Sequence, residues 1–389
     1  MKKIIMKFST KAIHAGNEPN LKAGGSGDVV IPIHLSTTFA RKKVSRPTGG
    51  YEYSRSGNPT RNALEENLAA LEGGTAAFAF SSGLAAIANI LLLLKRGDHL
   101  ISIDDVYGGT RRLFKQVFEK FDLEFSFVNF VTGKDLQRHI QKNTKLIWIE
   151  SPTNPLLKIV DIASVCGMAK SKKILTVVDN TFASPYFQKP LALGADIVVH
   201  SMTKYIGGHS DVVGGCIVLQ DKDLAARIKF LQNAVGAILS PFDSFQTLKG
   251  IKTLALRMRQ HEKNAQKIIK FLAGHKKIKK IYYPGLSSHP GYSIVKKQMS
   301  GFSGMLSFEL TGDLKKSIKF LEALKIISIA ESLGAVESLI EHPASMTHVS
   351  IPKEDRQKIG LTDTLIRLSV GVEDVEDLIA DLNQALKKI

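Results

Sequence analysis

Six short apolar runs, AAFAFSS, HLISIDD, KLIWIES, ILTVVDN, DIVVHS and GGCIVL, recur through the first two thirds of the chain, and each is apolar at consecutive rather than alternating positions. Continuous apolarity over so few residues fits strands covered on both faces, the condition of a parallel sheet between layers of helix. Parallel neighbours need crossover connections, and helical periodicity over 83–95, 110–121 and 161–171 supplies them. A further helix over 61–71 comes first, with Leu64, Leu68 and Leu71 on one face. The pattern predicts an α/β fold, a mostly parallel sheet with covering helices plus a smaller C-terminal α/β domain.

Residues 1–60 lack this order. GGSGDVV, SRPTGG and SRSGNPT break any period, which reads as an extended arm. Residues 61–250 hold the strand and helix alternation and form the expected large domain. From about residue 250 a long helical pattern runs to Gly274 and is followed by the turn YYPGL. Residues 251–389 are the expected second domain, with strands in GMLSFEL and DTLIRLSVG and a closing amphipathic helix over Val375–Lys388.

Composition narrows the class. The longest apolar stretch, Gly83 to Leu94, is far short of the roughly 20 residues a membrane span needs. The opening MKKIIMKFSTKAIHAG has no long apolar core or small-residue cleavage site, so a cytoplasmic address is expected. Cys166 and Cys216 have no partner at metal-ligand spacing and read as core thiols; no metal site is expected. The formal charge of +17 would favour anionic partners, but the lysines are dispersed. Their densest cluster, Lys276 to Lys280, alternates with apolar positions as a solvated edge does, which argues against nucleic-acid binding.

In an open α/β sheet ligands bind beyond the carboxyl ends of the strands. Four expected strands end in polar groups there: Ser81, Ser82 and Gly83; Asn154; Asp179 and Thr181; Ser201, Thr203 and Lys204. Gly83 opens an apolar helix whose free amides suit a phosphate. Lys204 is an amine close to two hydroxyls, able to form an imine with an aldehyde. Asp179, at the end of the preceding strand, can pair with a protonated pyridine nitrogen and so keep such a ring electron-poor.

The segments YEYSRSGNPTR, SSGLAA, DDVYGGT, ESPTNP, VVDNTF, HSMTKYIGGHSDVVGG, YYPGL, AESLG and IRLSVG, taken in order, resemble the trans-sulfuration enzymes of cysteine and methionine metabolism, a fold-type I pyridoxal-phosphate family, over nearly the whole chain. The resemblance implies pyridoxal 5'-phosphate as cofactor, bound as a Schiff base by Lys204 with Asp179 at its ring nitrogen and Thr181 nearby. The phosphate would lie on the Gly83 and Leu84 amides and the Ser201 and Thr203 hydroxyls. Tyr107 would stack on the ring and help free the substrate amine. Tyr53 and Arg55 would reach the phosphate of a neighbouring subunit, and the family is commonly a homotetramer. Arg367, aided by Asn154 and Ser332, would take the substrate carboxylate of a small amino acid.

Glu52 and Glu331 match positions that, in γ-lyases and γ-synthases alike, face the distal end of cystathionine, and Arg112 matches a γ-lyase position near that pocket, with the stretches around SIDDVYGGT and DTLIRLSVGVED most similar to the γ-lyases. The resemblance therefore implies γ-elimination of cystathionine, with γ-synthesis from an O-acyl-homoserine as the alternative. Methionine γ-lyases carry a cysteine where this chain has Gly108-Gly109, β-lyases depart from the acidic pair, and sulfhydrylases are longer. A phosphate or nucleotide binder using GGSGD or SSG, and a basic RNA scaffold, are the readings from other classes.

Overall fold

The computed structural model describes residues 5–21, 26–349 and 352–389. The larger sheet has seven strands, β1 Ala76–Phe80, β2 His99–Ile103, β3 Glu124–Val128, β4 Thr144–Glu150, β5 Leu175–Asp179, β6 Ile197–Ser201 and β7 Gly215–Leu219, in the order β1-β7-β6-β5-β4-β2-β3. From β3 to β6 every neighbouring pair is parallel. Helices cover both faces. Ala86, Ile87 and Ile90 of the helix Gly83–Leu91 and Ile162, Val165 and Ala169 of the helix Ile162–Ser171 pack on one face. Leu64, Leu68 and Leu71 of Pro59–Glu72 and Leu248 and Ile251 of Pro241–Ile251 pack on the other.

β7, read from its apolar run as one more strand of the sheet, runs antiparallel between β6 and β1. Ser201 faces Gly215 directly, so the segment between them leaves the carboxyl end of β6 and returns at that same end instead of crossing over. Lys204 sits in that return. A side chain at Gly215 would place its Cβ 2.2 Å from Ser82 O and 2.6 Å from Gly83 Cα, so glycine is what lets β7 pass beside the start of the Gly83–Leu91 helix.

The second sheet holds β8 Ile278–Tyr282, β9 Met305–Leu310, β10 Ser328–Ile329, β11 Leu339–Glu341 and β12 Leu365–Ser369, in the order β10-β11-β12-β9-β8. It has its own core, built with Ile268, Ile269 and Leu272 of Leu254–Ala273 and Leu378 and Leu382 of Val375–Leu386. The lysine-rich run that read as a solvated edge is β8, which lies at the sheet margin.

Three expectations need correction. β3 was not predicted: it alternates polar and apolar residues over only five positions and is half-exposed at the sheet edge, so it lacks the continuous apolarity of its neighbours. The expected 110–121 helix is an α-helix over Gly108–Arg112 that passes into a π turn and then a 3-10 turn. The long helix after residue 248 is broken between Ile251 and Leu254. There the Gly250 carbonyl accepts from Thr253 Oγ1 at 3.1 Å and from Arg257 Nη2 at 2.8 Å, side-chain bonds that periodicity does not reveal. Among the described residues no helix is long and apolar enough to cross a membrane, and no group of His, Cys, Asp and Glu could hold a metal ion. The opening MKKI and the first two residues of GGSGD fall outside the described residues.

Candidate active site

Parallel pairing delivers three polar residues to one end of the sheet. Glu150, the last residue of β4, faces Asp179, the last of β5, and Asp179 faces Val199 two residues before Ser201. Beyond these strand ends lies a cleft of about 320 Å³. Gly83, Leu84, Tyr107, Asp179, Thr181 and Ser201 line it, and so do Thr203, Lys204, Asn154, Glu331, Ser332 and Arg367. Four nominated residues are absent from its wall: Glu52, Tyr53 and Arg55 in the arm, and Arg112.

Lys204 Nζ donates to Ser332 Oγ at 2.6 Å. Burial, reinforced by the Arg367 charge, pushes the amine down to about 8 from the ordinary lysine value. A substantial neutral fraction at physiological pH is what a nucleophilic amine requires. Ser332 itself adopts φ 111°, a conformation costly for any residue with a Cβ, so the surrounding structure imposes the position of this hydroxyl.

Arg367 on β12 is buried. Its Nη1 donates to Asn154 Oδ1 at 3.0 Å and lies 2.9 Å from Glu341 Oε1, while Nη2 donates to the Ser332 carbonyl at 2.7 Å. The Tyr107 phenol is pushed up from its ordinary value by burial, opposed by the Arg112 charge. Arg112 therefore acts on the cleft through Tyr107 without lining it.

Glu150 was missed by the sequence reading. One of its oxygens accepts the Tyr107 amide at 3.0 Å and the other the Asn154 amide at 2.8 Å. Burial and the facing Asp179 carboxylate push its carboxyl well above the usual range. A carboxylate closing the apolar run KLIWIE was the available signal. Glu341 and Thr347 were missed as well, since nothing in sequence spacing brings them to Arg367.

The donor set fits a phosphorylated pyridine aldehyde. The start of a helix leaves its first amides without carbonyl partners; Ser82 Oγ accepts that of Ala85, which leaves those of Gly83 and Leu84 for a ligand in the cleft. A Cβ on Gly83 would lie 3.2 Å from Ser201 Cβ and 3.4 Å from its Oγ, so the absent side chain brings amide and hydroxyl together. Desolvation raises the Asp179 pKa, and the carboxylate accepts hydrogen bonds from Thr181, that of the amide at 3.0 Å. It forms no ion pair among the described residues, so a cationic ring nitrogen would meet an uncompensated carboxylate.

The family model for Cys/Met metabolism PLP-dependent enzymes matches residues 9–387. The chain belongs to this family. Its cofactor is pyridoxal 5'-phosphate, and it is an enzyme acting on small amino acids. A cystathionine gamma-lyase of Dictyostelium discoideum is 54% identical over 98% of this chain and 98% of its own length. A cystathionine beta-lyase of Lactococcus lactis subsp. cremoris is also 54% identical, over 98% of this chain and 99% of its own. The crystal structure of a cystathionine gamma synthase from Xanthomonas oryzae pv. oryzae, in complex with aminoacrylate and cysteine, superposes with TM-score 0.95 at 44% identity and covers 99% of both chains. Three reaction names at such similarity place the chain in trans-sulfuration chemistry, while identity alone does not choose among them. The β-lyases, set aside on motif grounds, are as similar as the γ-lyases.

Proposed function

We propose that the chain catalyses γ-elimination of L-cystathionine to L-cysteine, 2-oxobutanoate and ammonia. One observation carries the reading: a single cleft wall holds the Lys204 amine, the Arg367 guanidinium and the Glu331 carboxylate. These provide one group each for the α-proton, the α-carboxylate and the distal ammonium of a substrate with two amino-acid ends.

The cofactor, when bound, supplies the electron sink that makes the α-carbon acidic. Its phosphate would be held by the Gly83 and Leu84 amides with Ser201 and Thr203, its ring nitrogen by Asp179, and its aldehyde carbon by Lys204. Arg367 clamps the α-carboxylate, and Asn154 holds that guanidinium in place. Tyr107 takes a proton from the incoming amine, and the Arg112 charge, which opposes the upward push of burial on the phenol, favours that role. With the cofactor bound, Lys204 Nζ would take the α-proton; with a β-proton also removed, the γ carbon–sulfur bond would break and cysteine would leave as its thiolate.

The arm completes the site only in an oligomer. Tyr53 is exposed, the Arg55 guanidinium donates to Asn233 O at 3.3 Å, and Glu52 pairs with Arg41, all outside the chain's own cleft. In this reading the arm serves a neighbouring subunit of a homotetramer, with Tyr53 and Arg55 at its phosphate and Glu52 toward its substrate. The test is product identity. Cystathionine should yield 2-oxobutanoate and cysteine; pyruvate with homocysteine would instead mean β-elimination, and turnover only with an O-acyl-homoserine plus cysteine would mean γ-synthesis.

A further inference from the structure

Behind Arg367 lies a file of buried polar groups that the elimination does not by itself call for. Glu341 on β11 faces Arg367 on β12 across the antiparallel pair, and the two are 0% and 2% exposed. The Glu341 Oε1 that lies 2.9 Å from Arg367 Nη1 also accepts the Thr347 hydroxyl at 2.8 Å. A hydroxyl has one hydrogen to give. With it given to Glu341, Thr347 Oγ1 accepts from Nδ1 of the buried His348 at 2.9 Å.

The consequence falls on the guanidinium. Nη1 is engaged by Glu341 and Asn154 and Nη2 by the Ser332 carbonyl, whereas Nε is buried without a protein partner. A buried donor left unpaired is unfavourable until an acceptor arrives. The protein-side bonds thus decide both the plane of the guanidinium and which donor is left for a ligand.

We propose that Glu341, braced by Thr347 and His348, is a positioning residue that orients Arg367 toward the substrate α-carboxylate and so selects amino acids over amines that lack one. The inference deepens the proposed function and rests on its reading of Arg367 as the carboxylate site.

The holoenzyme and its Glu341→Gln variant are titrated with L-norleucine, which has no leaving group, and with pentylamine, the same chain without the carboxylate, each followed by the change in cofactor absorbance. The dissociation constant for L-norleucine should rise about tenfold or more while that for pentylamine stays within about twofold, as expected when one charge-assisted contact is misaligned. In turnover KM should rise in parallel with kcat nearly unchanged. Thr347→Val should weaken L-norleucine in the same direction and Thr347→Ser should restore it, a comparison that stands if Glu341→Gln fails to take up cofactor. Unchanged L-norleucine binding in the charge-removing variant, or equal loss of both ligands, overturns the proposal. Because neither ligand undergoes elimination, failure of the γ-elimination reading shows only in the product assay.

Discussion

Glu150 Oε2 accepts the backbone amide of Tyr107 at 3.0 Å, and through its other oxygen the same side chain holds the amide of Asn154. A single buried carboxyl therefore ties the loop that carries Tyr107 to the loop whose Asn154 bonds Arg367. Replacing Glu150 by Ala leaves two buried amides unpaired and should cost about 2 kcal/mol or more. Gln, which keeps one acceptor oxygen, should cost less and retain more turnover. Urea unfolding and kcat on the two variants check the order.

The Lys204 amine, near 8 in the fold, holds its proton less tightly than a lysine in the unfolded chain, at 10.5. Between these values the unfolded chain binds more protons, so stability of the cofactor-free protein rises with pH from about 8 to 10.5 and carries the full penalty below 8. Lys204→Met removes the penalty. The variant should be more stable at pH 7, by up to about 3 kcal/mol, and the gap should close by pH 10.5. A gap that does not vary with pH contradicts the shift.

Lys204→Ala should abolish both the visible cofactor absorbance and turnover, because no other amine is nominated to hold the aldehyde. Persistence of either in purified protein would refute the assignment.

Gly109 lies under the Tyr107 ring, and a Cβ there would sit 2.4 Å from Cε1 and 2.9 Å from Cζ. The ring lines an open cleft and can swing aside. Gly109→Ala should therefore leave the melting temperature close to wild type while kcat falls, by up to about a hundredfold if the phenol moves on the order of 1 Å. Parallel loss of stability and activity would point to a packing defect instead.

If Tyr53 and Arg55 serve the neighbouring subunit, mixing two inactive variants restores activity. Arg55→Ala and Lys204→Ala proteins, unfolded together and refolded, should recover about one quarter of wild-type turnover, since about half of randomly paired dimers are hybrids with one intact site. No recovery, with mixed dimers demonstrated, would place the arm in its own subunit.

Much of the site was legible in the chain because strand ends announce themselves. An apolar run that stops at a polar residue marks a carboxyl end, and in a parallel sheet all such ends fall on one edge; Asp179, Ser201 and Lys204 could be nominated on that ground. The motifs around them, matched in order, carried the family. Local patterning likewise fixes which segments are strands or helices, since burial on both faces or on one leaves its own period.

What the chain alone did not disclose depends mostly on partners distant in sequence. The half-exposed β3 and the reversal of β7 follow from where each segment lies in the sheet, and the break before Leu254 from nearby side chains bonding the Gly250 carbonyl, which periodicity does not register. Glu341 and Arg367 meet only because β11 and β12 pair antiparallel, and Glu150 reaches Tyr107 only across the sheet edge. The sequence by itself determined the chemistry available and the end of the sheet where it gathers. The tertiary structure decided how each charged group is oriented and paired, because hydrogen bonds act over about 3 Å and only the folded backbone brings residues from separate strands within that range.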